Sequence, residues 1–268
     1  MKIDVLDKGY VRYDKHMGSD LDVVNSAKVS FDRASATFEE KEARLLAFLV
    51  RDGHTSTFRH SAMTLEVYAP LITARQWWKY AVASAHVEEQ LGWNESSRRY
   101  ITETPEFYVV APDQWRSTPE NKKQGSGPVI ESLSDDDFHM VAAKYFRNPP
   151  EGSWGVGKTP HTDDIVKEQM QFGNYWTKQL TAQYVQGLYY YDKAIERGIA
   201  PEQARLFLPA YGLYVRWRWT FSLGAGLHFL HQRLAHDAQS EIREFAEAVK
   251  EILAVHFPSS VKATLDFI

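Results

Sequence analysis

The most regular stretch of the chain is residues 211–222, which read YGLYVRWRWTFS. One face of this stretch is apolar and consists of Leu213, Val215, Trp217, Trp219 and Phe221. The side chains between them are more polar: Tyr214, Arg216, Arg218 and Thr220. Alternation with a period of two is the pattern of a β-strand with one buried face. We therefore predict a strand here, with these two sets of side chains on opposite faces.

The elements predicted around this strand mix helices and strands without a regular βαβ order. Further strands are predicted at residues 2–6, 63–68 and 106–110. Helices are predicted at residues 21–31, 38–51, 71–85, 164–198, 201–208, 226–234 and 237–256. This mixture predicts an α+β fold, with a mostly antiparallel sheet flanked by helices.

The domain organisation predicted from the sequence is a single domain, residues 1–268. A surface insertion is predicted at about 111–165, because this region is irregular and contains Gly, Pro, Ser and a run of three Asp.

Composition excludes several classes of protein. The net charge of -4 gives no general attraction to nucleic acid or to an anionic membrane, so we expect neither as a partner. The chain has no cysteine, which excludes disulfides, thiolate metal sites and thiolate nucleophiles. That composition is compatible with a cytoplasmic location, and the apolar runs are too short to cross a bilayer.

The histidines do not form a recognisable metal motif. His228 and His231 are three residues apart in a predicted helix, and His54 and His60 form a second pair. Since neither pair has the acidic partner of an HExxH motif, we predict no metal.

A P-loop pattern occurs at residues 152–159, GSWGVGKT. A functional P-loop follows a buried strand and opens a helix, whose N-terminus holds the phosphates. The preceding residues include Pro149 and Pro150, which do not suit a central strand, and Pro160 follows directly. A flexible glycine-rich loop is favoured, and a P-loop nucleotide kinase remains the alternative.

A polar segment at residues 93–100, WNESSRRY, has the chemistry of a nucleotide site. In an extended chain Glu95, Ser97 and Arg99 point to one side. A guanidinium and a hydroxyl suit a phosphate, and a carboxylate suits a hydrogen-bond donor. A solvated charged loop would have the same composition, so this segment alone leaves both interpretations open.

Several motifs together resemble the flavin-dependent thymidylate synthases. The signature region of that family is matched by residues 74–78, ARQWW, followed by residues 94–100, NESSRRY. Further matches keep the family's order and occur at residues 2–9, 27–32, 52–54, 58–60, 68–70, 106–108, 204–205, 208–209, 233, 238–239 and 241–242. They span residues 1–110 and about 185–245, and the region 111–165 has no counterpart.

The resemblance implies a function. Members of the family convert dUMP to dTMP with FAD, NADPH and 5,10-methylenetetrahydrofolate, and no enzyme nucleophile attacks the uracil ring. They are homotetramers whose active sites are shared between subunits. The absence of cysteine fits this class, because the other class of thymidylate synthase needs a thiolate.

The resemblance also assigns roles to individual residues. Arg233 matches the catalytic arginine that polarises the uracil. The substrate-binding positions are matched by Gln76, Lys79, Glu95, Ser97, Arg99 and Arg205. The positions beside the flavin are matched by His54, Ser56, Lys79, Tyr80, Glu95, Ser222 and His228, of which Ser222 and His228 replace asparagines.

One departure from the family pattern concerns the signature triplet. The family has Arg-His-Arg followed after seven residues by Ser, whereas here Lys79-Tyr80-Ala81 is separated from Ser97 by fifteen residues. Lys79 keeps the charge without the bidentate fork, and Tyr80 is placed to stack on the flavin. The charge lost with the triplet has three candidate replacements: Arg59, Arg98 and Arg216. A non-catalytic relative that binds nucleotide or flavin is a second alternative.

Overall fold

The computed structural model describes residues 1–29, 33–82, 93–96, 104–119, 126–130 and 172–267. The chain divides into two compact units. The first comprises Met1–Tyr108 with Tyr191–Ile268, and the second comprises Val109–Tyr190. The second unit contains the region predicted as an insertion, most of which lies outside the described residues.

The described part of the first unit is built on one antiparallel sheet. Its strands are β1 Lys2–Val5, β2 Gly9–Met17, β3 Ala62–Pro70, β4 Trp93–Glu95 and β5 Tyr214–Ser222. They lie in the order β1-β2-β3-β5-β4, and every neighbouring pair is antiparallel. This sheet, with helices packed against it, confirms the predicted α+β class.

From Trp217 to Phe221 the alternation predicted for β5 is confirmed by the burial of its side chains, but Tyr214, predicted on the polar face, is also buried. Trp217, Trp219 and Phe221 are each 1% exposed or less, whereas Arg218 is exposed. β5 pairs with β3 without interruption from Ala62↔Ser222 to Pro70↔Tyr214. Because the side-chain period is two, this continuous register keeps every tryptophan of β5 on the core face.

The helices described are α1 Asp20–Lys28, α2 Glu40–Arg51, α3 Leu71–Trp77, α4 Lys79–Val82, α5 Phe172–Glu196, α6 Pro201–Ala204, α7 Leu223–Arg233, α8 Ser240–His256 and α9 Pro258–Leu265. None of these helices is long and apolar enough to cross a membrane. α7 and α8 cover the tryptophan face of the sheet and supply much of the core, including Phe229 and Phe245, which are both 0% exposed.

Three differences from the sequence predictions have physical causes. β2 was missed because only Gly9 and Val11 in it are buried, so it shows no apolar alternation. Residues 106–110 form a single bridge, Phe107↔Leu213, rather than a strand. The last helix, α9, was missed although Pro258 stands in its first turn, where proline is tolerated because its missing N–H has no partner there.

The described part of the second unit is held by a short hydrogen-bond chain. The Thr177 hydroxyl of α5 donates to the carbonyl of Val110 at 2.7 Å and accepts from the Trp115 indole N–H at 3.0 Å. An antiparallel bridge pairs Arg116 with Val129. The two hydrogen bonds of Thr177 therefore connect Val110 and Trp115 to the first turns of α5.

Candidate active site

α3, the helix that follows β3, ends at a buried tryptophan. Trp77 at the end of α3 is 0% exposed, and its ring stacks on Phe229 of α7 at a centroid distance of 4.6 Å. Gln76, Lys79 and Tyr80 flank Trp77 in the chain. Because packing fixes Trp77, it also fixes the directions in which these three side chains leave the backbone.

The turn from β5 into α7 supplies the other side of the site. Ser222 is the N-cap of α7: its side chain is 2% exposed, and its hydroxyl accepts a hydrogen bond from the Ala225 N–H at 3.2 Å. The same helix carries His228 on its exposed side and ends at Arg233. Capping thus sets the start of the helix that delivers these two side chains.

Four of these residues, Lys79, Tyr80, His228 and Arg233, form what we call the Tyr80 cluster. The Arg233 Cζ lies 5.4 Å and the Lys79 Nζ 5.7 Å from the centre of the Tyr80 ring. The His228 ring centre is 5.7 Å from the same point.

The electrostatics of the Tyr80 cluster favour an anion. Partial burial lowers the pKa of Lys79, and the positive charge of Arg233 lowers it further. Burial raises the pKa of the Tyr80 hydroxyl, an effect that Arg233 partly offsets. Within the described residues, neither Lys79 nor Arg233 pairs with a carboxylate. Two converging cations without a counter-ion are suited to bind a negatively charged ligand.

Gln76 is oriented by a second hydrogen-bond chain. Its Nε2 donates to Oε1 of Gln239, and Nε2 of Gln239 donates to the Glu241 carboxylate at 2.8 Å. A carboxylate only accepts, so it fixes which end of the Gln239 amide points to Gln76. Sequence reasoning missed this role of Gln239, because residues 76 and 239 are far apart in the chain.

A pocket of about 340 Å³ lies beside α7, and we call it the histidine pocket. It is lined by Leu49, Val50, Arg51, Gly53, His54, Thr55, Phe58, Gly224, Leu227, His228, His231, Thr264 and Phe267. The structure therefore brings together His54 and His228, which were predicted separately. His231 and Gly224 were not predicted as site residues, although their spacing from His228 on one helix could have indicated them.

The chain was compared with known families and proteins. The family model described as "Thymidylate synthase complementing protein" matches residues 14–259. The flavin-dependent thymidylate synthase of Thermotoga neapolitana is 32% identical over 270 residues, covering 100% of this chain and 95% of its own. The chain belongs to the flavin-dependent thymidylate synthase family. A Thermus thermophilus member of the family is 32% identical over 258 residues, covering 96% of this chain and 76% of its own.

A solved structure shares the fold over the same length. It is described as a UMP/dUMP methylase PolB from Streptomyces cacaoi bound with 5-Br dUMP, and its TM-score is 0.68 at 25% identity. The similarity covers 98% of this chain and 97% of that chain. Membership of the flavin-dependent thymidylate synthase family thus rests on the sequence motifs, the family model, the relatives and the fold.

A flavin fits the chemistry of the histidine pocket. The pocket combines apolar walls, such as Leu49, Phe58 and Leu227, with the imidazoles of His54 and His228. Ligand pockets for flat ring systems have this composition, mostly apolar with a few placed polar groups. Ser56 is exposed in the short turn Thr55–Arg59 and does not line the pocket. The Ser222 hydroxyl is engaged in capping α7.

The remaining predicted residues lie apart from the Tyr80 cluster or outside the described part. Glu95 is exposed at the end of β4, opposite Trp217. Arg205 is exposed, and its Nε donates to the carbonyl of Glu202 at 3.3 Å. Ser97 and Arg99 lie outside the described residues. These four therefore remain predictions from the family resemblance.

The three arginines named above as candidate replacements for the charge of the Arg-His-Arg triplet lie in different parts of the chain. The Arg216 Cζ lies 5.3 Å from the Tyr68 ring on the polar face of the sheet, away from α7. Arg59 is exposed at the end of the turn that carries Phe58 into the histidine pocket, and Arg98 lies outside the described residues. The P-loop pattern at 152–159 also lies outside them, and the kinase alternative receives no support from any relative.

Proposed function

We propose that this protein converts dUMP to dTMP as a flavin-dependent thymidylate synthase, using FAD, NADPH and 5,10-methylenetetrahydrofolate. The observation that carries the proposal is the Tyr80 cluster, where Lys79 and Arg233 converge on one buried ring without a carboxylate partner among the described residues. An anionic nucleotide supplies the missing negative charge. The relatives named flavin-dependent thymidylate synthase and the solved dUMP methylase support this choice of anion.

In the proposed reaction Arg233 polarises the uracil and favours its ionised N3. A guanidinium remains charged throughout the physiological range, so it stabilises developing negative charge without exchanging a proton. Lys79 binds the anionic substrate beside it, and Gln76, held by Gln239, orients it. The chain has no cysteine, so no thiolate attacks the ring.

The histidine pocket is proposed to hold the isoalloxazine of FAD, with His54 and His228 at its polar edge. FAD bound there and reduced by NADPH would supply a hydride to the methylation. Apolar walls exclude water from the flavin and so protect the reduced cofactor from side reactions.

A homotetramer with shared sites completes the proposal. Glu95, Ser97, Arg99 and Arg205 are proposed to meet the Tyr80 cluster across a subunit boundary. The single contact described for the Arg205 side chain, to Glu202, leaves its guanidinium exposed and available to a ligand held by another subunit. We place the reaction in the cytoplasm, where its nucleotide and nicotinamide substrates are found.

The direct test is dTMP formation by the purified protein with methylenetetrahydrofolate and NADPH, with and without added FAD. UMP is assayed beside dUMP, because the solved neighbour is described as a methylase of both. Arg233→Ala is expected to lower turnover by about 100- to 1000-fold, the usual cost of removing one group that stabilises developing charge. Arg44→Ala, which removes an exposed arginine of α2, is the matched control.

Folded wild-type protein that makes neither product at saturating FAD would disprove the proposed function. The same protein binding dUMP or FAD without turnover would identify a non-catalytic relative instead.

A further inference from the structure

Tyr80 is nearly inaccessible in the described structure. It is the middle residue of the triplet in which this chain departs from its family, and its side chain is 5% exposed. Phe229 meets it edge-on at a centroid distance of 5.1 Å, and His228 lies at 5.7 Å. The ring is therefore packed against α7 and offers little free surface on which a flavin can stack.

Apart from Tyr80, few described contacts restrict the side chain of Arg233. It is the last residue of α7, so the helix holds its backbone but not its long side chain. Its Nε is buried and has no hydrogen-bond partner among the described atoms. Within the described residues no carboxylate pairs with the guanidinium, whose Cζ lies over the Tyr80 ring, 5.4 Å from its centre.

The contact with the ring restricts the guanidinium. A cation over the face of an aromatic ring is attracted by the ring quadrupole, so the end of the arginine side chain is held near the ring. The Tyr80 ring is itself held in place, because Phe229 and His228 lie against it.

We propose that Tyr80 is a positioning residue, which orients the guanidinium of Arg233 for the uracil ring rather than binding the flavin. This inference rests on the proposed function and deepens it. It also gives the altered triplet a role: the Tyr80 ring holds the guanidinium of Arg233 in place, while Lys79 provides a second positive charge.

The test compares Tyr80→Leu, which removes the ring, with Tyr80→Phe, which keeps it. Turnover, dUMP binding to the enzyme without NADPH, the FAD dissociation constant and NADPH oxidation without dUMP are measured for each. Tyr80→Leu is expected to lower kcat by about 2- to 30-fold, the usual worth of a cation–π contact. Tyr80→Phe is expected to restore turnover because it restores the ring, and the FAD dissociation constant and NADPH oxidation should stay unchanged in Tyr80→Leu.

A double-mutant cycle provides a readout that a purely structural role would not affect. If Tyr80 acts through Arg233, then Tyr80→Leu has little further effect in an Arg233→Ala background. Tyr10→Leu is the matched control, since it removes a ring with a comparable cation contact, to the Lys2 Nζ at 4.6 Å, away from the site.

Two results would overturn the proposal. One is a weakened FAD affinity with normal kcat at saturating FAD, which would make Tyr80 a flavin-binding residue. The other is additive losses in the double-mutant cycle. Failure of the proposed function itself is separate, because it is seen in the wild-type protein as an absence of both dTMP and methylated UMP.

Discussion

Lys79 stands where the family resemblance predicts an arginine, and a lysine at this place has a consequence for pH. Its pKa is lowered from the usual 10.5 by partial burial and by the neighbouring Arg233. A lysine with a lowered pKa loses its positive charge at a lower pH than an exposed lysine does. Anion binding at the Tyr80 cluster should therefore decline in the alkaline range before an ordinary lysine would titrate.

We expect dUMP affinity of the free enzyme to fall as the pH is raised through the alkaline range. Lys79→Arg should remove this decline, because a guanidinium stays charged there. Calorimetric titration of dUMP at several pH values measures the effect, and Lys2→Arg on β1 is the control. An equal decline in Lys79→Arg and in the wild type would show that another group is responsible.

How far single residues could be predicted depended on where their partners lie in the sequence. Gln76, Lys79 and Arg233 were assigned from local motifs, and the structure places Lys79 and Arg233 around one ring. The contact between Gln76 and Gln239 is formed only by the packing of α3 near the start of α8, so no local pattern encodes it. Likewise, a serine that caps a helix cannot be told from one that binds a ligand until the helix start is known.

At the scale of the elements, α7 depends on two glycines with different tasks. A Cβ on Gly226 would lie 2.5 Å from the Phe221 ring of β5, which is far inside van der Waals contact. A Cβ on Gly224 would approach nothing closer than Phe58 Cβ at 3.4 Å, an ordinary contact, but Gly224 lines the histidine pocket.

The two alanine substitutions should therefore affect different properties of the protein, one its stability and the other its binding of FAD. Gly226→Ala should destabilise the fold by about 1–3 kcal/mol through overpacking, despite the better helix propensity of alanine. Gly224→Ala should leave stability nearly unchanged and weaken FAD binding by narrowing the pocket. Urea denaturation and flavin titration of both variants measure the two effects, and similar stability losses in both would contradict this assignment.

The junction of α1 and α2 contains a buried carboxylate. The Glu42 side chain is 0% exposed and accepts hydrogen bonds from Lys28 at 2.8 Å and from Ser35 at 2.6 Å. These bonds lower its pKa from 4.5 to about 2. Since the folded protein holds the charged form more tightly than the unfolded chain does, Glu42 contributes stability above pH 4.5 that is lost as the pH falls towards 2.

Glu42→Gln should lower the melting temperature at neutral pH and reduce the acid dependence of stability between pH 4.5 and 2. Thermal melts across that range measure it, with the exposed Glu40→Gln as the control. An unchanged acid profile in Glu42→Gln would mean that other carboxylates govern acid unfolding.

The elements differ in how strongly the sequence encodes them. β5 was predicted from the contrast between its tryptophans and arginines, and the structure confirms the buried tryptophan face, whereas the other face is exposed at Arg218 and buried at Tyr214. β2 has no such contrast, because it turns mostly polar side chains outwards from Arg12 onwards. Its strand conformation depends on pairing with β1 and β3, which is a property of the sheet and not of the segment.

At the scale of the whole molecule, the shared active sites proposed above predict complementation between impaired variants. Arg233→Ala and Arg205→Ala are each expected to be strongly impaired. If the two arginines of one site come from different subunits, mixed assemblies of the two variants contain some intact sites and regain dTMP formation. Activity after co-refolding measures this, and assemblies shown to contain both variants without regained activity would refute shared sites.

A matched control for that experiment is the mixture of Arg233→Ala with Lys79→Ala. These two side chains flank the same Tyr80 ring within one chain, so every site in the mixture lacks at least one of them. This mixture should stay inactive.

The pairing of β3 with β5 also matters while the protein is being made. On a ribosome β3 emerges long before β5, since their register joins residues as distant as Ala62 and Ser222. Until then β3 can pair only with β2, and its other edge exposes unpaired backbone beside apolar side chains, a state prone to aggregation. The nascent chain should therefore need chaperone protection for most of its translation, and the Tyr80 cluster can form only after α7 has left the exit tunnel.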